Sequence, residues 1–284
     1  MKCFEFQHEA MATTFALTIA DQDEPYARQA AAAAWQALDR LESELSRYIE
    51  SSDIAQANRL TQGNTMMIGD DTLQCLLLAA EVSLLTGHVF DAAYASERGP
   101  APSRPAPAFT LDPQAHTLTS CVPRLHLDLG AIGKGYALDR LADLFAEWDI
   151  ASACLQSGGS TALVLAPPAA HIGWAIGIGD GPTHRTLTMS HSALSGSGIA
   201  VKGQHLIDPR TQQRASRVDR TWALAPTAAV SDALSTAFFV WSDDEIARFC
   251  AAHPEMGGAI AVGDQRLEMY GALSRLPPSV PPAG

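Results

Sequence analysis

The sequence predicts an α+β fold, and three observations carry that expectation. Strand-like and helix-like segments follow one another in irregular order rather than as repeated βαβ units. An alanine-rich stretch from about Pro25 to Arg47 places Trp35, Leu38, Leu41 and Leu45 at helical spacing. A strand, a glycine turn and a helix run together from Arg124 to Phe145. With 284 residues, 47% of them hydrophobic and 18% charged, the chain can bury a sizeable core. The expected organisation is a single domain over residues 1–275 and a loose, proline-rich tail over 276–284.

Taken in order, Met11 to Ile19 alternates as a strand does. The long helix follows, with Pro25 suited to its first turn. Ser52 to Asn58 reads as a capped short helix. Asp70 or Asp71 is expected to cap a further helix running through Leu85 and ended by Gly87. Gly99 to Pro107 is a connector or a surface loop. Strands are expected around Phe109–Leu118 and Leu125–Leu129, then at Ala151–Gln156, Leu163–Ala166, His171–Ile178, Arg185–Ser190 and Thr221–Ala225. Ser195-Gly196-Ser197-Gly198 is expected in a loop. Ser231–Val240 and Asp243–Ala252 should be helical, and Ala259–Val262 and Arg266–Tyr270 strands.

Charge and cysteine content narrow the function. Nineteen basic against 31 acidic side chains give a formal charge of −12, which argues against nonspecific nucleic-acid binding and against a basic membrane-surface patch. Met1 to Glu9 lacks an apolar signal region and no later run is long and uncharged enough to span a bilayer, so a cytoplasmic chain is expected. The five cysteines are scattered, without zinc-ligand or redox spacing, and are expected to be reduced, mostly buried thiols.

Chemistry concentrates in three stretches. In Leu127 to Asp139, Gly130, Gly133 and Gly135 allow a tight turn and close approach of a ligand, and the following helix offers unpaired N–H groups to a phosphate. Lys134 would add positive charge and Asp128 could orient a polar group, although a plain strand–turn–helix corner fits the same residues. His205 to Thr211 forms a second stretch, in which His205 could exchange a proton near neutral pH or be structural. In the third, Ser231 to Ala237, Asp232 and Thr236 share one helix face. Their oxygens suit magnesium, and a cap is the other reading for Asp232.

Together and in this order, these pieces resemble the FAD:protein FMN transferases, the ApbE-type flavin transferases. The resemblance runs from Met11-Ala12-Thr13-Thr14, through Ser46-Arg47-Tyr48 with Asp53 and Asn58, and Phe90-Asp91. It continues through Asp128 to Asp139, Ser157-Gly158-Gly159, Ser195-Gly196, His205 to Thr211 and Asp232 to Ala237. It implies a two-lobed fold with the FAD site between the lobes, and covalent attachment of FMN from FAD to a threonine or serine of an acceptor protein. By the same resemblance Met11, Tyr48, Glu97, Arg98, Gly99, Asp128, Lys134 and Leu206 should contact FAD. Asp232, Thr236 and the Ala131 carbonyl should bind Mg²⁺, and His205 should be catalytic. The chain departs from the family pattern at Ser160, where an aspartate is usual, and at Ala92-Ala93, where proline and threonine are usual. The segment between Gly196 and His205 is also short. The alternatives are an FAD pyrophosphatase giving FMN and AMP, and a non-catalytic FAD-binding protein.

Overall fold

A computed structural model describes residues 2–97, 107–198, 218–263 and 266–277. Its first feature was not expected: Cys3–Ala10 is a strand, β1, paired antiparallel with β2, Thr13–Ala20. The second strand therefore begins at Thr13, and Met11-Ala12 is the turn between the two. Helix α1, Glu24–Leu45, forms where the alanine spacing placed it. The Asp23 side chain caps it by accepting from the Tyr26 N–H, and Ala27, Ala30, Ala31, Ala34, Leu38, Leu41 and Leu45 are buried along one stripe.

The Ser52 side chain caps α2, Asp53–Ala57, by accepting from the Ala55 N–H. Helix α3, Asp70–Leu85, corrects an expectation: Gly69 is its cap residue, and Asp70 and Asp71 sit in the first turn. The Gly69 N–H is bound instead by the Asp53 carboxylate at 2.6 Å. Strands β3 (Thr65–Met67), β4 (Phe109–Asp112) and β5 (Thr117–Ser120) make a small antiparallel sheet in the order β3-β5-β4.

The expected strand at Leu125–Leu129 does not pair in a ladder; only Arg124 bridges Glu97. Its polar backbone groups are satisfied elsewhere. The Asn58 side chain exchanges two hydrogen bonds with Leu127 at 2.6 and 3.0 Å, the His126 N–H reaches Ser96 Oγ, and the Asp128 N–H reaches the Ala92 carbonyl. Extended backbone satisfied by side chains and turns has no need of a neighbouring strand.

Helix α4 spans Gly133–Glu147. The main sheet is then built from β6 (Ala153–Ser157), β7 (Thr161–Val164), β10 (Ser192–Gly198), β11 (Arg220–Ala225), β12 (Gly257–Val262) and β13 (Arg266–Gly271). With β1 and β2 it forms one antiparallel sheet of eight strands among the described residues, in the order β1-β2-β6-β7-β10-β11-β12-β13. Ser195 to Gly198, expected in a loop, lies inside β10 between β7 and β11. Gly196 is needed there because a Cβ would come within 2.9 Å of the Trp222 indole nitrogen.

Alternate residues of the central strands feed two cores. Leu163, Ala193, Ala223 and Ile260 join the large cluster, together with helices α5 (Ala228–Val240) and α6 (Asp243–Ala252). Val164, Leu194, Trp222, Leu224 and Ala259 join a second cluster on the other face. That face is covered by the hairpin of β8 (Trp174–Ile178) and β9 (Arg185–Met189) through Ile176, Ile178, Leu187 and Met189. Leu276, at the start of the expected tail, packs on this second core, and the Pro277 carbonyl accepts from the Thr188 N–H. All five cysteines are free thiols; burial pushes Cys250 up to about 11 and Cys154 up to about 12, which leaves both protonated and inert. No helix among the described residues is long and apolar enough to cross a membrane.

Candidate functional site

A cavity of about 890 Å³ opens where the β1–β2 turn, the end of α1, the loop after α3 and the start of α4 converge. That volume is in the range of sites that enclose a cofactor-sized molecule. Met11, Ala12, Glu42, Tyr48, Asp128 and Lys134 are in its wall, as are Ala131 and Thr236. Residues far apart in the sequence thus meet around one space, and each is held by a local device.

Asp128 organises the glycine turn. Its Oδ1 accepts from the Gly130 N–H at 2.9 Å, which bends the chain back toward α4, and its Oδ2 pairs with the Arg47 guanidinium at 3.1 Å. Lys134, one residue into α4, donates to the Gly130 carbonyl at 3.0 Å, so its ammonium is parked on the turn at the cavity wall. Arg47 also lies over the Tyr48 ring, 4.8 Å from its centroid, and donates to its hydroxyl at 2.6 Å. Tyr48 is 77% exposed, so it does not cover the end of α1; it stands as an aromatic face beside the Arg47 guanidinium, in the same cavity wall as Lys134. A flat aromatic face next to positive charge suits a conjugated ring carrying phosphates.

Gly135 has a different task from the one expected of it. A Cβ on Gly135 would lie 2.2 Å from the Ala228 carbonyl oxygen, so this glycine lets α4 and α5 touch backbone to backbone. One turn along α4, Asp139 accepts from the N–H groups of Ala228 and Ala229 at 2.7 and 2.8 Å. The N-terminus of α5 is therefore capped from another helix, and Asp232 is not its cap. Burial pushes the Asp139 carboxyl up to about 6, against the two backbone hydrogen bonds that pull it down, with the Asp143 and Asp232 charges adding to the rise.

Asp232 is 1% exposed, and its Oδ2 has no hydrogen-bond partner among the described residues. Thr236, one turn further along α5, reaches the cavity wall with its hydroxyl 3.4 Å from Ser197 Oγ. A buried carboxylate oxygen without a donor is costly unless a cation or a proton meets it. Asp232, the Thr236 hydroxyl and the Ala131 carbonyl make up a candidate set of hard-oxygen donors, of the chemical kind magnesium takes. It includes one carboxylate only, and no group of three or more His, Cys, Asp or Glu able to hold a metal occurs among the described residues. Such a set leaves coordination positions open for ligand oxygens.

Of the residues singled out by sequence, Met11, Tyr48, Asp128, Lys134, Ala131 and Thr236 come together here, while Asp232, buried on the same helix as Thr236, is not part of the cavity wall. Glu97 is exposed, exchanges a backbone bond with Arg124 and is absent from the cavity wall. Arg98, Gly99, His205 and Leu206 lie outside the described residues. Arg47 and Asp139 lay within motifs that the sequence singled out but were given no task there, and Glu42 was not singled out at all.

The ApbE family model matches residues 11–260. The FAD:protein FMN transferase of Haemophilus influenzae is 23% identical over 254 residues, covering 73% of this chain and 71% of that protein. The FAD:protein FMN transferase of Treponema pallidum is 28% identical over 175 residues, 54% of this chain; the chain spans about half of that relative's length (48%). The solved structure of the flavin transferase ApbE from Vibrio cholerae superposes with a TM-score of 0.80 at 17% identity, over 97% of this chain and 100% of that one. The ApbE protein from Thermotoga maritima gives 0.79 at 21% identity, over 96% and 99%. The mixed helix-and-sheet fold expected from the sequence is the fold of these proteins.

Proposed function

The chain belongs to the ApbE family, and from that premise and the cavity we propose that it is an FAD:protein FMN transferase. The bond between the two phosphates of FAD breaks and a new P–O bond forms to the hydroxyl oxygen of a threonine or serine on an acceptor protein. AMP leaves, and the hydroxyl proton passes to a base. The observation that carries this reading is one cavity shared by an exposed aromatic face, the Arg47 and Lys134 cations and the Thr236 hydroxyl, with the buried, unsatisfied Asp232 carboxylate one turn before Thr236 on α5.

In this reading the Tyr48 face and the apolar Met11 wall take rings of FAD, while Lys134 lies against the diphosphate. Asp128 keeps Arg47 and the Gly130 turn in place. Asp232, Thr236 and the Ala131 carbonyl would hold magnesium, which when bound neutralises charge on the diphosphate. His205 is the proposed base for the acceptor proton, a role typically worth about 10²–10⁴-fold. The two-lobed description belongs to the same proposal: the cavity lies between walls drawn from residues 11–94 and from α4 with α5. So do the single domain through about residue 275 and a cytoplasmic location. The partners are FAD and an acceptor protein; a nucleic acid is not expected at a net charge of −12.

The test incubates the purified chain with FAD, magnesium and a candidate acceptor protein, and weighs the products. Covalent FMN on the acceptor plus AMP is the expected result, lost in Asp232→Ala and in His205→Asn while the latter keeps its FAD affinity. Free FMN plus AMP in the presence of a verified acceptor would replace the transferase with a pyrophosphatase, and no turnover at all would leave a flavin-binding protein.

A further inference from the structure

The β1–β2 hairpin closes with Ala10 paired to Thr13, which leaves Met11 and Ala12 as a two-residue turn. Both have positive φ, 50° and 58°. A two-residue hairpin wants this conformation because it matches the twist of the strands, and sequences normally supply it with Asn-Gly or Gly-Gly. A Cβ in the left-handed region crowds its own backbone, so Met-Ala is a strained choice. Strain of this kind persists where the surroundings hold it, and it concentrates at ligand sites. Met11 and Ala12 both line the cavity, and Met11 packs against the large core.

The holding group comes from α1. The Met11 N–H donates to Glu42 Oε1 at 2.8 Å, a contact between residues 31 apart in sequence. Glu42 is half-buried, lines the same cavity, and is carried on a helix anchored by the buried Leu41 and Leu45 on either side. No glycine relieves the turn; a carboxylate on a rigid element fixes it.

We infer that Glu42 is a positioning residue for the nucleotide: it pins the strained Met11-Ala12 turn so that Met11 presents a fixed apolar wall to the ligand. The inference rests on the cavity being the FAD site. Glu42 acts through the turn rather than on the reacting phosphates, so its loss should appear in binding and not in turnover.

The experiment compares wild type, Glu42→Ala, Glu42→Gln and the double variant Glu42→Ala with Ala12→Gly, by flavin-fluorescence titration, transfer kinetics and melting of the FAD-free proteins. Glu42→Ala should raise the Kd and KM for FAD by about tenfold or more, with kcat at saturating FAD within about threefold of wild type. Glu42→Gln should stay within about threefold, because its amide oxygen still accepts the Met11 N–H. Adding Ala12→Gly to Glu42→Ala should restore most of the affinity, since glycine takes the turn conformation without being held. Wild-type affinity in Glu42→Ala overturns the inference, as does a loss that neither Gln nor the added glycine recovers. If wild type itself takes no FAD, the functional reading fails instead. The pinning is then judged on melting temperature alone, which should fall in Glu42→Ala and recover with Ala12→Gly; equal values in all four proteins would refute it.

Discussion

Replacing Asp139 by Asn tests how the helix that carries Asp232 and Thr236 is held. The Asp139 carboxylate accepts two N–H groups at the start of α5, at 2.7 and 2.8 Å, yet burial pushes its pKa up to about 6. Against an unfolded value near 3.8 the rise is roughly two units, or about 3 kcal/mol at about 1.4 kcal/mol per unit. The sign follows from which state binds the proton more tightly. Because the folded state does, this group's contribution to stability is fully present below about pH 4 and is lost as pH rises through about 6. Asn has no such titration. It keeps one acceptor for α5 but turns an amide donor toward the second N–H, at a cost of about 1–3 kcal/mol. Asp139→Asn should therefore be less stable than wild type near pH 4.5, and the gap should close, by about 2 kcal/mol, as the pH is raised to 7.5. Paired urea denaturations across that window measure the difference directly, because groups common to both proteins cancel. A difference that stays flat to within about 0.5 kcal/mol would refute the argument, since it would mean the two backbone hydrogen bonds offset burial in full.

Two further expectations concern the walls of the same site. Gly135→Ala puts a Cβ 2.2 Å from the Ala228 carbonyl oxygen and 2.7 Å from the Ala229 Cα, backbone atoms that cannot swing aside. The variant should lose about 1–3 kcal/mol in urea denaturation despite the roughly 1 kcal/mol that alanine gains in helix propensity, and a neutral or stabilising result would show that α4 and α5 separate freely. Tyr48→Ala removes a ring that is 77% exposed, so the melting temperature of the FAD-free protein should hardly change while the Kd for FAD rises by about tenfold. Lost stability with unaltered affinity would instead assign Tyr48 to the end of α1.

Some of this molecule was determined by local sequence. Alanine and leucine spacing with Pro25 in the first turn sufficed for α1, because an amphipathic stripe and a first-turn proline are both written within a few residues. Ser52 capping α2 was legible for the same reason. The order of short motifs named Met11, Tyr48, Asp128, Ala131, Lys134 and Thr236, which the fold gathers around one cavity, but it also named Glu97, which is absent from the cavity wall. What local sequence lacked was the partner of each group. Leu125 to Leu129 has the pattern of a strand, but Asn58, Ser96 and the Ala92 carbonyl satisfy its backbone from elsewhere in the chain. Ser195 to Gly198 has the composition of a loop, yet it becomes β10 because β7 and β11 bond it on both edges and Trp222 needs the space at Gly196. The cap of α5 is supplied by Asp139 across a helix–helix contact that Gly135 makes possible, and the turn at Met11 is held by Glu42 from α1. Periodicity reports which face of a segment is buried, whereas a hydrogen bond between distant residues exists only once packing has set both ends. That is why the tertiary structure alone decided which side chains hold the site in shape.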